Sequence, residues 1–451
     1  MGLSAAAAHA ARIESTPRLV PSFRPSVVDY VTSCRSDRPV RLRVTTDGRT
    51  RTHDESLKPG QAASVVVESG EKRRRYHVRC LPADFPRWRF ERFRRPQAQF
   101  FLFTPQDGVA DPESHYVILI DGHGTPIWWR KRGAVPFNST LLPNGQVAWA
   151  RWYEEPFGIS RGTAWEIHTL DGRLVRTLEA RGSPTDLHDL QPLGHGRFLL
   201  LTYRVRRHVD LRPYGGPANG AVVDGEIQEQ DADGNVVWRW NSKDHVSIGE
   251  NYDWPGPYRE VRDGTEVFDY FHLNSVQPDG DGYVISARHV NAIYRIDRAT
   301  GAVTWKLGGT ERPESLRVIG DHRTHVFRGQ HDARLLPDGT LTVFDNHTAT
   351  GKPRAMRLRI DAAKGTARLL EQVTEPRLTW SPAEGSARKL PGGDWVVSWG
   401  ANKLISELRA TNDPTWRLTL ARGQSFRITP VLRGTLSASR LRRAMDEMHP
   451  R

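Results

Sequence analysis

Three histidines recur in one frame, and their spacing is the first sign of chemistry. His331 stands six residues ahead of the turn Pro337-Asp338-Gly339. His272 stands equally far ahead of Pro278-Asp279-Gly280, and His188 ahead of Gly194-His195-Gly196. A radial repeat would bring all three rings to one inner rim. An imidazole there can attack an electrophilic centre and carry it covalently, which makes His331 the first candidate. Arg288 ends the run Tyr283 to Ala287 and is followed by His289 and Asn291. Its planar guanidinium fork matches the paired oxygens of an anion. Asn274 follows His272 by two places, so along one strand both side chains would face one side. Asn346 and His347, past the strand after His331, are placed to support it. These residues also fit a polar channel with no chemistry, and Arg288 fits a salt bridge on a sheet edge.

Three imidazoles can hold zinc or copper. Here they come from separate repeats, and a guanidinium beside them opposes a cation. No metal is therefore expected, although the aspartate-rich turns could hold a structural calcium ion. No cofactor is expected either. Neither a glycine-rich phosphate loop nor a Gly-x-Ser-x-Gly elbow is present, which removes the common nucleotide-dependent and serine-hydrolase readings.

The elements that must position these residues are short strands and tight turns. Weaker copies of the frame run from Phe137 to Pro143-Asn144-Gly145 and from Gly385 to Pro391-Gly392-Gly393. Between the copies lie turns of the Asp-x-x-Gly type that lead to tryptophan. Asp231 to Asn235 precedes Trp238 and Trp240, and Asp297 to Gly301 precedes Trp305. Two hairpins per unit and about six units predict an all-β chain, a six-bladed β-propeller over 100–435. Units are expected to start near residues 100, 160, 223, 290, 353 and 402. Insertions at Arg206–Val222 and Ser242–Thr265 are expected to wall one face; the second carries Glu250, Tyr252, Asp253 and Tyr258.

Ahead of the propeller, residues 18–80 alternate as a small β-sandwich, with turns at Asp47-Gly48, Pro59-Gly60 and Ser69-Gly70. Residues 1–17 read as a leader, disordered or the remnant of a signal sequence. Residues 81–99 read as a linker whose Phe85, Trp88, Phe90 and Phe93 pack between domains. Residues 436–451 read as a basic C-terminal helix or tail. The two cysteines, Cys34 and Cys80, both fall in the sandwich and are expected to pair, which would place the protein outside the cytoplasm. If they are free thiols, a cytoplasmic location stays open. The net charge of +13 is spread along the chain without a nucleic-acid signature, so an anionic small substrate is favoured over nucleic acid. No apolar run is long enough to span a membrane, and a homo-oligomer is compatible with the sequence.

Four stretches resemble the bacterial arylsulfotransferase family, which uses an aryl sulfate as donor. They are Asp269-Tyr270-Phe271-His272-Leu273-Asn274-Ser275, Ile285-Ser286-Ala287-Arg288-His289, Gly329-Gln330-His331-Asp332-Ala333-Arg334 and, more weakly, Gly400 to Glu407. The resemblance covers roughly residues 100–435. It implies a six-bladed propeller behind a small β domain, with a histidine-rich central channel as active site. It implies that His331 is transiently sulfated. It also implies that His272, Asn274 and Arg288 hold sulfate oxygens or protonate the leaving phenolate, and that His188 is a further channel histidine. The implied partners are an aryl sulfate donor and a phenolic acceptor. A hydrolase or lyase on the same scaffold, or a non-catalytic binding propeller, remains compatible with the residues. Attack by neutral His331 predicts activity that falls in acid, with loss already evident near pH 5 for an ordinary imidazole pKa of about 6.5.

Overall fold

The computed structural model describes residues 12–34, 38–46, 49–69, 72–108, 110–153, 162–251, 258–260, 264–348 and 351–451. Residues 1–11 of the expected leader, the turns at Asp47-Gly48 and Gly70, and Tyr252 and Asp253 lie outside them, as does the Tyr258 side chain. Among the described residues, no helix is long and apolar enough to cross a membrane.

The chain is all-β. It begins with two three-stranded sheets, Arg12–Thr16, Val40–Thr46 and Arg49–Glu55, then Asp29–Ser33, Lys72–Leu81 and Ala62–Ser69. Strict alternation builds their shared core. Val40, Leu42 and Val44 point inward while Arg41 and Arg43 point out, and Ala63, Val65 and Val67 meet them from the second sheet. A disulfide joins Cys34 to Cys80. The leader expectation needs correcting here. Residues 12–16 form a strand that pairs with 41–45, because Ile13 completes the core.

Six larger sheets, mainly antiparallel, follow. The first combines Phe100–Gln106, Tyr116–Asp121 and Pro126–Lys131 with the late strand Gln424–Val431. The others are meanders over 135–178, 185–241, 273–308, 331–373 and 386–420. The first strand of each meander packs beside the first strand of the next, and Gln424–Val431 lies between Val135–Leu141 and Ser386–Lys389, so these strands form a ring. Apolar residues fill the wedges between neighbouring sheets. Val284 and Ile293 meet Leu341, Val343 and Met356, for example.

The expected start near 100 coincides with the strand Phe100–Gln106, 160 lies outside the described residues, and the later ones fall inside the sheets or between their strands. Residue 223 lies within Gly220–Gln230, and 290 lies between Gly282–Ala287 and Ala292–Asp297. In the 273–308 sheet the Pro278-Asp279-Gly280 turn joins strands one and two, while Asp297 to Gly301 joins strands three and four. A sequence period fixes repeat length but not origin. The true origin is the polar frame, which enters the ring.

The supposed linker is also more structured than its composition implies. Trp88–Arg92 pairs with Pro414–Leu420 as the outer strand of the last sheet. Phe85 is buried and Phe90 stacks on Trp416, whereas Phe93 is exposed under the Arg417 guanidinium. The expected insertion at 206–222 is the extended tip of one hairpin, Arg197–Val209 with Gly220–Gln230. A groove of about 460 Å³ lies at that tip, lined by Arg207, His208, Asn219, Thr265 and Glu266 among others. Glu250 turns away from any such wall, since its carboxylate binds the buried ammonium of Lys306 at 2.5 Å. The helix Ala438–Met448 is capped by Ser437 and buries Leu441, Ala444 and Met445 against the first large sheet. Its polar side forms the ion pairs Arg442–Asp29 and Arg79–Asp446 with the N-terminal sheets.

Candidate functional site

His331 is the first residue of an inner strand, and its ring is fixed from both sides. Nδ1 lies 2.7 Å from Asn346 Oδ1 and 2.9 Å from the Gly329 carbonyl. The Asn346 amide cannot present its nitrogen instead, because Nδ2 donates to Ser381 Oγ and to the Glu384 carbonyl at 3.0 and 2.9 Å. Nδ1 must therefore carry the proton, and Nε2 keeps its lone pair. That nitrogen receives only a long contact, 3.3 Å from the Glu384 backbone N–H. Burial, then the nearby Arg288 guanidinium, pushes the His331 pKa well below its ordinary value, against the contribution of Asn346. The ring is therefore neutral at neutral pH.

His188 and His272 meet beside it, with ring centroids 5.1 Å apart and planes nearly perpendicular. Phe426 lies against both His188 and His331, at 5.4 and 6.5 Å. Each of the first two imidazoles is backed by a carboxylate. His188 Nδ1 is 2.8 Å from Asp186 Oδ2, and His272 Nδ1 is 2.5 Å from Asp269 Oδ2. A carboxylate at Nδ1 fixes the tautomer and balances charge when the ring takes a proton. His289 stacks on His272 at 4.5 Å. Its Nδ1 donates to the Asp269 carbonyl at 2.5 Å, and its Nε2 accepts from Arg288 Nη1 at 2.6 Å. Burial pushes the His289 pKa well below its ordinary value, so Arg288 is the positive charge of that pair. Arg288 is further held by the Pro382 carbonyl at 2.9 Å.

Asn274 stands one step away from this group. Its Nδ2 donates to the Gln330 carbonyl at 2.8 Å, steadying the segment that carries His331, and its Oδ1 has no partner among the described residues. The two-residue alternation with His272 does not hold. The strand begins at Leu273, and His272 itself has a left-handed φ of 54°.

Sequence reasoning missed the residues next in line. Asp189 and Asp332 each follow a site histidine and enter a second charged layer with Arg334, Arg388 and Arg427. Arg334 bridges Asp189 and Asp332 at 2.8 and 2.9 Å, Arg388 reaches Asp332 at 2.8 Å, and Arg427 reaches Asp189 at 3.2 Å. Burial alone would raise the Asp189 pKa, but Arg334 and Arg427 hold it below the usual range. Burial lowers Arg388 to about 10, with Asp332 opposing. Three guanidinium groups against two carboxylates leave one positive charge in excess. Asp186, Asp269 and Glu384 were missed as well, whereas Asn346 was expected beside His331. One signal was available for the first two, since Asp186-x-His188 and Asp269-x-x-His272 are short carboxylate–imidazole spacings.

Five non-glycine residues at or beside the site have left-handed φ: His272, Asn291, Asp332, His347 and Glu384. Such conformations cost energy and persist where the surroundings enforce them, commonly at functional sites. Asp269, His272 and His289 bring ligand atoms within 4.8 Å of one another, close enough to share one cation. The donor set fits a cation poorly, because both ring nitrogens of His289 are engaged, one of them by a guanidinium. The arrangement suits an anion that reacts at a neutral imidazole while an arginine and proton-carrying rings attend it.

A family model described as Arylsulfotransferase (ASST) matches residues 161–421, more than half of the chain and all of the site named above except the C-terminal Gln424–Val431 strand. Comparison with curated protein sequences gives no match. Among solved structures, a protein of unknown function from Bacteroides caccae is similar at 11% identity and a TM-score of 0.45, covering 74% of this chain and 99% of that one. BamB from Moraxella catarrhalis has 11% identity and a TM-score of 0.34, covering 76% and 92%. A streptogramin B lyase has 11% identity and a TM-score of 0.34, covering 91% and 98%.

Proposed function

The chain belongs to the arylsulfotransferase family, and from that premise we propose that it moves a sulfuryl group from an aryl sulfate to a phenol through a sulfohistidine at His331. The observation that carries this reading is the fixed tautomer of His331. Its Nε2 lone pair is available, and its Nδ1–H faces Asn346 Oδ1 and the Gly329 carbonyl. In the first half-reaction Nε2 attacks sulfur, the sulfur–aryloxy bond breaks, and the aryloxy oxygen leaves with the bonding pair. The ring becomes positive as the N–S bond forms, and the two oxygens at Nδ1 stabilise that charge. Arg288 stabilises charge on the sulfuryl oxygens. His272 and His188, each with a carboxylate at Nδ1, exchange the phenolic proton. In the second half-reaction an acceptor phenol loses its proton to one of these rings and takes the sulfuryl group from His331. The cycle is ping-pong.

The scaffold reading is a six-bladed β-propeller behind a two-sheet N-terminal domain. The ring of first strands supports it, as does the completion of the first large sheet by Gln424–Val431. The Cys34–Cys80 disulfide supports an extracytoplasmic location. The test is peptide mass mapping after brief incubation with a chromogenic aryl sulfate. The expected result is one added sulfuryl group on the peptide containing His331. Turnover without that adduct would instead assign a hydrolase or lyase, and no turnover would assign a binding protein.

A further inference from the structure

We propose that Glu384 is a catalytic residue that works in its protonated form, offering its carboxylic O–H and its backbone N–H to the sulfuryl oxygens at His331. This deepens the sulfuryl-transfer reading and rests on it.

Four observations converge on Glu384. Its backbone N–H already points at His331 Nε2 from 3.3 Å, so the residue stands where the sulfur must come. Its side chain is buried; Oε1 accepts from Gln424 Nε2 at 2.9 Å, and Oε2 has no partner among the described residues. A buried carboxyl oxygen without a partner calls for an explanation, and a ligand supplies one. Its backbone is held in the left-handed region at φ 63°, where a glutamate is strained. Asn346 Nδ2 donates to its carbonyl, and the Gly385 N–H that follows donates to the Phe426 carbonyl at 3.1 Å. The same asparagine thus sets the His331 tautomer and the Glu384 backbone.

The protonation state follows from what surrounds the carboxyl. The uncharged Gln424 amide bonds the carboxyl and the Arg288 guanidinium acts on it, while the neutral His331 ring and Asn346 meet the backbone of the same residue. Burial raises its pKa to about 7, with Gln424 and Arg288 opposing. An ionised carboxylate would repel an anionic sulfate ester in the same cavity. A neutral acid there donates a hydrogen bond to a sulfuryl oxygen, as a carboxylic acid kept protonated by an apolar site can do. No proton is transferred in this role. Glu384 admits the anion when neutral and excludes it when ionised.

The test is binding of 4-nitrobenzenesulfonate, which carries three such oxygens but no leaving aryloxy oxygen, by calorimetry from pH 6 to 9. Wild-type affinity is expected to fall about tenfold per pH unit above roughly pH 7, because one proton must be bound. Glu384→Gln keeps a neutral donor of the same shape. It is expected to bind within about threefold of wild type at pH 6 and to lose the alkaline fall. Glu384→Gly, which suits the positive φ, is expected to bind at least tenfold more weakly at pH 6. A Glu384→Gln profile parallel to wild type, a Glu384→Gly variant that binds as well as wild type, or no binding by wild type at pH 6 would each overturn the proposal. Because the sulfonate cannot transfer, failure of the transfer reading shows separately, as a missing adduct on His331 with an aryl sulfate.

Discussion

Two layers of buried polar residues lie at the inner strands, built from adjacent residues, yet they differ in kind. One holds His331, His272, His188, His289 and Arg288; the other holds Asp189, Asp332, Arg334, Arg388 and Arg427. His188 neighbours Asp189, and His331 neighbours Asp332, so a single step along the chain separates the layers. In the second layer every charge has an opposite partner, each carboxylate being shared by at least two guanidinium groups, although Asp332 Oδ2 and Arg427 Nε make no hydrogen bond among the described residues. In the first, Asp269 Oδ1 and Glu384 Oε2 have no partner among the described residues, and His331 Nε2 has only a weak one. Ion pairs between carboxylates and guanidinium groups tie inner strands together in the second layer, whereas the first keeps an imidazole nitrogen, His331 Nε2, with only a long contact. Ion pairing, and not the presence of unpartnered atoms, distinguishes the two layers.

The largest effect should come from the histidine layer. His331→Ala is expected to lower kcat/KM with an aryl sulfate on the order of 10⁴-fold, with no adduct and an unchanged melting curve. Activity retained within tenfold would place the nucleophile elsewhere. Next come matched carboxylate-to-amide changes in the two layers. Asp189→Asn removes a shared partner of two buried guanidinium groups and should cost about 3–5 kcal/mol of stability, read by denaturant unfolding. Asp269→Asn should leave stability nearly intact but lower kcat on the order of 10²-fold, because His272 loses the group that fixes its tautomer. If the two variants exchanged their phenotypes, the division between layers would be wrong.

The smallest effect is an absence. The sequence alone predicts a rate that drops in acid through the ordinary imidazole pKa near 6.5. The structure revises this, because burial and Arg288 depress the His331 pKa well below that value. A group with a depressed pKa stays in its neutral, reactive form as pH falls through 6.5. The His331 contribution to kcat/KM should therefore remain level between about pH 6.5 and 5.5, measured in the Glu384→Gln variant so that the Glu384 carboxyl does not titrate near that edge. A fall through pH 6.5 in that variant would mean that His331 is more solvated than the fold makes it.

The sequence by itself determined the inventory and the period. Hairpin turns at fixed distance from His188, His272 and His331 fix each histidine at an inner strand, because short-range turn chemistry sets strand register. The alternation of Val40, Leu42 and Val44 was equally local, hence equally legible, while the Cys34–Cys80 pair, 46 residues apart, was legible because the chain holds only two cysteines. Unit origins were not, since a repeat looks the same from any starting point until its sheets close. Tertiary structure alone decided which nitrogen of His331 holds the proton. That depends on Asn346, itself oriented by Ser381 and Glu384. It also decided that Glu384 meets an imidazole 53 residues earlier in the chain, and that Arg427 neutralises Asp189 across 238 residues. Protonation, tautomer and charge pairing are set by neighbours in space, and only the closed ring of strands brings those neighbours together.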